Sequence, residues 1–330
     1  MLEFAVFGAG RIGTIHAGNI ARHPQARLRY VVDPNEAAAK MLARHHEAEA
    51  ADATTVFGDA RVGAVLIASS TDTHADLCIA AAKAGKAIFC EKPIDLSLSR
   101  VDDCLAAVRA AAVPLLVGFN RRFDPSFRSL KTRIEQGAIG AVEQVIITSR
   151  DPGPPPLAYL RVSGGLFRDM TIHDFDMGRW LLGEEPESVF AAASCLVDPG
   201  IGAAGDVDSA MIVMRTRSGR LCHINNSRRA TYGYDQRIEV HGSKGRLMAA
   251  NRVPTTVELA NAEAISTEKP LHFFLERYAE AYRHEVDAFI AAVREGRPMP
   301  VGPEDGRQAL VLAEAALESL GTGRAVRVAS

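Results

Sequence analysis

The first 33 residues contain the pattern that most restricts the fold of this chain. An apolar strand pattern at 4–7 leads directly into Gly8-Ala9-Gly10-Arg11-Ile12-Gly13, and a helical pattern runs from Arg11 to Arg22. Glycines at these three positions allow a tight turn, close approach of a phosphate, and close packing of helix on strand. Asp33 ends the next strand pattern, 28–32, where a carboxylate can bind both ribose hydroxyls and repel a 2′-phosphate. The pattern predicts a βαβ unit that binds NAD in preference to NADP.

Short β-branched runs alternate with alanine-rich helical stretches as far as residue 118. The predicted strands are continuously apolar, which is typical of a parallel sheet buried on both faces. Further strands are predicted at 65–68, 87–90 and 115–117, and further helices at 36–46, 74–84 and 98–111. Together these elements predict an N-terminal Rossmann-type, doubly wound parallel sheet.

The pattern changes after Gly118. A helix is predicted near 125–136, and C-terminal helices at about 274–295 and 304–320 are expected to pack near the domain junction. Long β-type segments are predicted at 142–149, 188–197, 209–216, 220–226, 237–241 and 246–249. These segments indicate an α+β domain with a large, mostly antiparallel open sheet. We therefore expect two domains, 1–119 and 120–330.

Composition excludes several classes of function. The chain has 330 residues, and its formal net charge of −2 gives no electrostatic basis for binding nucleic acid or an anionic membrane. It has no apolar run of about 18 residues, and a strand pattern begins at Glu3, so we expect a cytoplasmic protein. The five cysteines are scattered and the histidines lack metal-site spacing, so we predict reduced thiols and no metal.

Ser69-Ser70-Thr71-Asp72-Thr73-His74 follows the strand predicted at 65–68. In open α/β sheets the carboxyl ends of the strands bind ligands, so these side chains can face cofactor phosphates or ribose. Capping of the next helix by Thr71 or Asp72 is an equally good interpretation, and the two roles are compatible.

Asp169 and His173 form a candidate acid–base pair. If 167–182 is helical, positions i and i+4 share one face, where the carboxylate can orient the imidazole. Histidine titrates near neutral pH and suits proton abstraction. Lys92, in Glu91-Lys92-Pro93, can stabilise a developing alkoxide or join the proton relay. Taken alone, His173 fits a helix-packing residue and Lys92 a solvated loop lysine; their occurrence beside a dinucleotide motif favours catalysis.

Four segments carry a family resemblance over essentially the whole chain: the glycine-rich turn, Glu91-Lys92-Pro93, Gly118–Phe123, and Gly164-Gly165 with Asp169 and His173-Asp174. With them the chain resembles the glucose-fructose oxidoreductase/inositol dehydrogenase family. Within that family, Ser149–Pro152 and Arg228–Asp235 look most like the myo-inositol 2-dehydrogenases. One departure is Ser69-Ser70, where relatives commonly have Thr-Pro.

The resemblance implies NAD-dependent oxidation of myo-inositol to 2-keto-myo-inositol, a homotetramer, and a cis peptide bond before Pro93. Lys92, Asp169 and His173 match the family's catalytic residues. The implied substrate-binding residues are Lys92, Asn120, Arg121, Asp151, Asp169, His173 and Tyr234, while Arg122 is expected to be structural. The predicted cofactor-binding residues are Gly8, Ala9, Gly10, Arg11, Ile12, Asp33, Ser69, Ser70, His74, Glu91 and Lys92.

Two alternatives remain open. One is another cyclitol or sugar dehydrogenase, acting on scyllo-inositol, D-chiro-inositol or an aldose, because the same catalytic trio would serve. The other is a catalytically silent, nucleotide-dependent sensor or co-repressor. The presence of Lys92, Asp169 and His173, and the lack of a basic DNA-reading segment, argue against the second alternative.

Overall fold

The computed structural model describes residues 1–328, which form two compact units. The first unit contains Met1–Phe123 and Ala281–Leu310, and the second contains Asp124–Glu280 and the chain from Val311. The return of 281–310 to the first unit has no counterpart in the linear sequence pattern. The predicted functional boundary between 119 and 120 stays a prediction.

The first unit contains a parallel sheet, as predicted, with six strands where the sequence pattern indicated five. Its strands, in the spatial order β3-β2-β1-β4-β5-β6, are β1 (Leu2–Phe7), β2 (Ala26–Val32), β3 (Glu49–Ala50), β4 (Val62–Ile67), β5 (Ala87–Glu91) and β6 (Leu115–Gly118). The chain order reverses between β1 and β4. Such a switch point is where open α/β sheets bind ligands, at the carboxyl ends of the strands.

Helices connect these strands. They are α1 (Arg11–Arg22), α2 (Glu36–His45), α3 (Ala53–Gly58), α4 (His74–Lys83) and α5 (Leu98–Ala111). Phe4, Ala5 and Val6 in β1 are fully buried, which explains why this strand is continuously apolar. The short β3 and α3 were not predicted, because two strand residues and a six-residue helix leave little periodicity to detect.

The second unit contains a seven-stranded mixed sheet, which is mostly antiparallel as predicted. Its helices are α6 (Pro125–Glu135), α7 (Leu157–Ser163), α8 (Ile172–Leu182), α9 (Pro199–Ala203) and α10 (Phe274–Arg277). The sheet has the order β12-β11-β7-β10-β9-β8-β15 and consists of β7 (Val142–Arg150), β8 (Pro186–Ser194), β9 (Ser209–Thr216), β10 (Leu221–Ser227), β11 (Asp235–Gly242), β12 (Gly245–Ala249) and β15 (Val326–Arg327). Only β7 and β10 pair in parallel within this sheet. Helix α8 packs against both of them.

Three local features differ from the sequence pattern. A small hairpin joins β13 (Glu258–Ala260) to β14 (Ile265–Thr267), and the predicted helix at 274–295 is interrupted between α10 and α11 (Ala279–Glu295). Residues 167–171, expected to be α-helical, form a π-helical turn that leads into α8.

The last helix is α12 (Pro303–Thr322). None of the helices in residues 1–328 has both the length and the apolarity that a membrane span needs.

Candidate functional site

The glycine-rich turn lies between the end of β1 and the start of α1. Gly8 has a φ of +103°, and a Cβ there would lie 2.4 Å from the Ala68 carbonyl oxygen. A Cβ on Gly13 would lie 1.9 Å from the Gly8 carbonyl oxygen, so neither position tolerates a side chain. At Gly10 a Cβ would meet no heavy atom within 4 Å. The turn therefore leaves open space beside Gly10, at the N-terminus of α1, where a phosphate can approach the backbone.

Asp33 closes the same turn. Its Oδ2 accepts a hydrogen bond from the Ala9 backbone N–H at 2.7 Å, and its Oδ1 accepts one from the Asn35 N–H at 2.8 Å. The carboxylate is half-buried, so it remains accessible to a ligand in the turn. The open space beside Gly10 and this carboxylate fit the pyrophosphate and ribose of a dinucleotide.

The segment after β4 contributes a second part of this region. Both ring nitrogens of His74 face backbone carbonyls, Nδ1 at 2.8 Å from Pro93 O and Nε2 at 3.0 Å from Ser69 O. Ser69 Oγ and Thr73 Oγ1 are 2.7 Å apart. Thr73 is the N-cap of α4, and its side chain makes no capping hydrogen bond to the helix. The buried His74 ring thus joins the Ser69 loop to the turn that follows Lys92.

Lys92 lies directly after β5 and is half-exposed. The Lys92–Pro93 peptide bond is cis, as the resemblance implied. Glu91, the last residue of β5, is buried, and its Oε1 lies 2.7 Å from Nε2 of His16. The Glu91 carboxylate is therefore engaged by α1 within this unit.

Asn120 and Arg121 follow β6 in a 3-10 turn and are both buried in the first unit, with exposures of 3% and 4%. Arg122 donates from Nη2 to Asp305 Oδ1 at 2.7 Å. That ion pair agrees with a structural role for Arg122. Burial of Asn120 and Arg121 shows that they are held in place, and their substrate contacts stay a prediction.

Asp169 and His173 occupy consecutive helical turns of the second unit, and both are partly buried, with the Asp169 side chain 13% exposed. Asp169 belongs to the π-helical turn, a feature that often marks functional sites. Its Oδ1 accepts a hydrogen bond from the Tyr159 hydroxyl at 2.9 Å, and its Oδ2 lies 3.6 Å from Nη2 of Arg228. His173 lies in the first turn of α8. A carboxylate held by two groups and an accessible imidazole one turn later suit proton transfer.

Buried hydrogen bonds attach this helical segment to the sheet. Thr171 Oγ1 lies 2.7 Å from Asn226 Oδ1, and Asn226 Nδ2 donates to Asp174 Oδ2 at 2.9 Å. Thr171 and Asp174 are fully buried, and Asn226 is on β10. Thr171 and Asp174 lie on one face of the helical segment, and Asp169 and His173 lie on the opposite face. The hydrogen bonds of Thr171 and Asp174 therefore orient Asp169 and His173 away from the core.

Strand register brings the candidate residues Asp151 and Tyr234, together with Arg228, to one edge of the seven-stranded sheet, where these strands begin or end. Arg150 of β7 pairs with Ser227 of β10 and with Asp235 of β11. Asp151, Arg228 and Tyr234 are the next residues along each chain segment, so all three lie at this edge. Asp151 is half-buried, and Tyr234 is 6% exposed with its ring packed edge-on against Tyr278.

Asp235 is a fully buried acid at this edge. Burial alone would raise its pKa, but hydrogen bonds from Arg237, Tyr232 and Asn251 hold the pKa below its ordinary value. The Tyr232 hydroxyl donates to Asp235 Oδ2 at 2.6 Å and receives a hydrogen bond from Arg150 at 3.1 Å. Burial and the Asp235 carboxylate raise the pKa of Tyr232. The result is an ionised, rigid network beside the candidate substrate residues.

Sequence reasoning did not assign roles to Tyr159 and Arg228, the two residues that contact Asp169. Arg228 lay within a segment singled out by the resemblance, whereas Tyr159 belonged to none of the motifs. No spacing rule connects Arg228 with Asp169, because three strands, β8, β9 and β10, separate them along the chain. The signal that identifies them is contact in the folded unit.

The parallel sheet, the glycine-rich cradle and the Asp33 carboxylate define an oxidoreductase that binds NAD in a Rossmann fold. Comparison with known families agrees: residues 2–119 match the oxidoreductase family with an NAD-binding Rossmann fold, and residues 127–248 match the GFO/IDH/MocA C-terminal domain. The chain belongs to the GFO/IDH/MocA oxidoreductase family.

Full-length relatives are similar to this chain. It is 51% identical to the inositol 2-dehydrogenase of Rhizobium meliloti, over 99% of both proteins. It is 50% identical to the myo-inositol 2-dehydrogenase of Thermotoga maritima, over 99% of this chain and 98% of the relative. The crystal structure of a myo-inositol dehydrogenase from Corynebacterium glutamicum has a TM-score of 0.96 and 43% identity, covering 100% of this chain and 99% of the other.

Proposed function

We propose that this protein oxidises myo-inositol to 2-keto-myo-inositol with NAD. The observation that carries the proposal is the Asp169–His173 segment, in which a largely buried carboxylate is held by Tyr159 and faced by a buried guanidinium at Arg228. Similarity to inositol dehydrogenases over the full length supports the choice of substrate. A secondary alcohol needs both a proton acceptor and a hydride acceptor to become a ketone.

The chain's residues divide the proton chemistry. His173 acts as general base towards the substrate hydroxyl, and Asp169 orients the imidazole and supports its positive charge. Lys92 donates to the same substrate oxygen and stabilises its developing negative charge, with membership of the proton relay as the alternative. NAD, when bound, supplies the hydride acceptor.

Polar side chains bind the polyol. A cyclitol presents only hydroxyl groups, so its recognition requires fixed donors and acceptors. We assign these contacts to Asn120, Arg121, Asp151 and Tyr234, in addition to the catalytic residues. Tyr234 and Asp151 are supported by their place at the sheet edge that also carries Arg228.

Cofactor contacts come from the glycine-rich turn and from the ends of β2, β4 and β5. Asp33 accepts hydrogen bonds from the ribose hydroxyls. It excludes NADP, because the 2′-phosphate of NADP would face its carboxylate. Arg11 and Ile12 offer backbone N–H groups at the start of α1. Ala9 lines the turn beside them, with its own N–H held by Asp33. The remaining proposed contacts are from Ser69, Ser70, His74, Glu91 and Lys92.

Activity of the His173→Ala variant tests the base. We expect turnover to fall roughly 100-fold or more with NAD affinity nearly unchanged, measured by NADH formation and by titration with NADH. His241→Ala, at an exposed histidine of β11, is a matched control that should keep its turnover. NADH production by His173→Ala close to that of the wild type would remove His173 from the base role.

A substrate panel decides among the alternatives. The wild type is assayed with myo-, scyllo- and D-chiro-inositol, glucose and xylose, each with NAD and NADP. We expect the highest kcat/KM with myo-inositol and NAD. Preference for another polyol would make the protein a different cyclitol or sugar dehydrogenase, and NAD binding without turnover of any substrate would favour a silent sensor or co-repressor.

The open face of the seven-stranded sheet supports a homotetramer. One row of side chains crosses four neighbouring strands on the same face of the sheet. It consists of Phe190 of β8, Val213 of β9, His223 of β10 and Ile146 of β7. The three apolar residues of the row are Phe190, Val213 and Ile146. They are 41%, 43% and 39% exposed. A broad apolar face of this kind is typical of an interface between copies. We expect light scattering to give a tetramer and Val213→Lys to reduce the assembly; a monomeric wild type would refute it.

We also propose a cytoplasmic location, because five scattered cysteines suit a reducing compartment. Cell fractionation with an antibody against the protein tests this location.

A further inference from the structure

A buried cluster of titratable groups lies beside Lys92 in the first unit. His16 on α1 and Glu285 on α11 are fully buried, and Glu91 at the end of β5 is 9% exposed. Nε2 of His16 lies 2.7 Å from Oε1 of Glu91 and 3.7 Å from Oε1 of Glu285. One ligating atom from each of the three side chains lies within 4.8 Å of the others. Two carboxyl groups and one imidazole thus share a site without solvent.

Hydrogen bonding distinguishes the two carboxyl groups. Oε1 of Glu91 lies at hydrogen-bonding distance from Nε2 of His16, an arrangement in which a carboxylate accepts from an imidazole N–H. Neither carboxyl oxygen of Glu285 has a hydrogen-bond partner within residues 1–328. An ionised carboxylate in such a position bears a large desolvation cost, whereas the neutral acid does not. The arrangement favours one charged and one neutral carboxyl group.

We propose that His16 and Glu285 hold two protons against the Glu91 carboxylate, and that this buried triad positions the end of β5 and the adjacent Lys92. His16 keeps one proton on Nε2 and Glu285 keeps the other as a neutral carboxylic acid. A single negative charge, on Glu91, then lies one residue from Lys92. The positioning part of this inference rests on the proposed function, because it concerns the lysine of that reaction.

The surroundings support the protonated state of Glu285. Burial, followed by the charge of Glu91, raises the pKa of Glu285 well above its ordinary value. The titratable groups near Glu285 in this unit are His16 from α1, Glu91 from β5 and Tyr282 from its own helix. The Tyr282 ring packs edge-on against the His16 ring, with the ring centres 5.7 Å apart. Phe89 packs against the other side of the imidazole at 5.0 Å. Aromatic rings on His16 leave it little freedom to turn away from Glu91.

A protonated triad fits this geometry better than a metal ion. His16 and Glu91 are already at hydrogen-bonding distance, and an ion between them would have to separate Nε2 from Oε1. Gly118, which pairs with Glu91 across the sheet, packs so closely that a Cβ there would lie 3.0 Å from the Glu91 carboxyl carbon. The carboxylate therefore has no room to withdraw on that side.

Infrared spectroscopy tests the protonation directly. The difference spectrum of wild type minus Glu285→Gln, at neutral pH and without substrate, should contain the carbonyl stretch of a protonated carboxyl group. Glu295→Gln, at the exposed end of the same helix, is the matched control and should give no such band. A wild-type spectrum with only an additional carboxylate band at Glu285 would overturn the proposal.

Unfolding in urea gives a second, independent measurement. A carboxyl group with a raised folded-state pKa stabilises the fold most below its unfolded pKa of about 4.3, and this stability is lost as pH rises towards the folded value. The unfolding equilibrium constant of the wild type relative to Glu285→Gln should rise by about tenfold per pH unit in that window. A flat ratio across the window would show that Glu285 is ionised in the folded protein.

Kinetics test the positioning role. His16→Leu removes the N–H and should lower kcat by about tenfold or more and move the pH–rate profile, while NADH affinity stays within about twofold. His16→Gln, which retains an N–H donor, should restore most of kcat and the original profile. Equal losses in both variants with an unmoved profile would reduce His16 to a packing residue.

Two further outcomes are separable. If the wild type oxidises none of the polyols yet shows the protonated carboxyl band, the proposed function fails and the triad stands. Metal analysis of the purified protein, and thermal unfolding with Zn²⁺ and with EDTA, complete the test. If each chain binds one metal ion and the Glu285→Gln variant does not, the site holds a metal ion instead of the two protons, and the proposal is overturned.

Discussion

The Gly10→Ala variant should impair binding of the cofactor without impairing the stability of the fold. Gly10 has a φ of −75° and a ψ of −169°, which an alanine adopts without strain, and its Cβ would meet no heavy atom within 4 Å. Replacing a glycine by alanine at a compatible position stabilises a protein by about 0.4–1 kcal/mol through the unfolded chain. We therefore expect the melting temperature of Gly10→Ala to equal or slightly exceed that of the wild type.

Binding of NAD should respond in the opposite direction. The new methyl group occupies the space through which a pyrophosphate reaches the backbone at the start of α1. Loss of one hydrogen bond to a charged group costs about 1.5–3 kcal/mol, which raises Kd by about 10- to 150-fold. Fluorescence titration with NADH measures the affinity, and thermal unfolding of the same samples measures the fold.

Two glycine variants are controls for this experiment. Gly58, at the end of α3, also has open space around its Cβ, so Gly58→Ala should keep both stability and NADH affinity. Gly13→Ala should lose stability, because its Cβ would lie 1.9 Å from the Gly8 carbonyl oxygen. Wild-type NADH affinity in Gly10→Ala would refute the cradle, and unfolding of that variant would refute the description of the turn.

Three further predictions concern charged residues. Asp33→Ala should weaken NAD use and make NADP less excluded, because the carboxylate is removed; an unchanged ratio of kcat/KM for the two cofactors would assign the preference to another residue. Arg228→Met should lower kcat by about tenfold or more with NADH affinity unchanged, since Asp169 loses a buried cation 3.6 Å away, and Arg228→Lys should lose less. The pKa of Asp235 lies below its ordinary value despite burial, because its carboxylate accepts several hydrogen bonds. Asp235 therefore stabilises the fold at pH values above its unfolded pKa of about 3.9, and this stabilisation is lost as the pH falls. The free energy of unfolding of wild type minus Asp235→Asn, measured in urea, should therefore shrink below about pH 4, and a constant difference would contradict it.

The sequence was most informative where structure depends on neighbouring residues. The strand–turn–helix at Gly8–Gly13 depends largely on local backbone geometry, because Gly8 has a positive φ and a Cβ on Gly13 would collide with the Gly8 carbonyl oxygen. The parallel strands were recognisable because burial on both faces makes each of them continuously apolar. The π-helical turn at Asp169 was not recognisable, because an amphipathic pattern of this length does not distinguish it from an α-helix.

Long-range features required the folded chain. The parallel pairing of β7 with β10 brings Asp151 and Arg228 to one edge, although 76 positions separate them in the sequence. The alternation of exposed and buried residues within each strand predicts a half-buried sheet, but it carries no information on which strands become neighbours.

The sequence alone determined the NAD-binding unit, the class of reaction and the identity of Asp169, His173 and Lys92 as candidates, because each rests on a local motif or on family resemblance. Only the tertiary structure decided what surrounds them: Tyr159 and Arg228 at Asp169, and His16 and Glu285 behind Glu91. The physical reason is that hydrogen bonds and desolvation act over a few ångströms in space, whatever the separation along the chain.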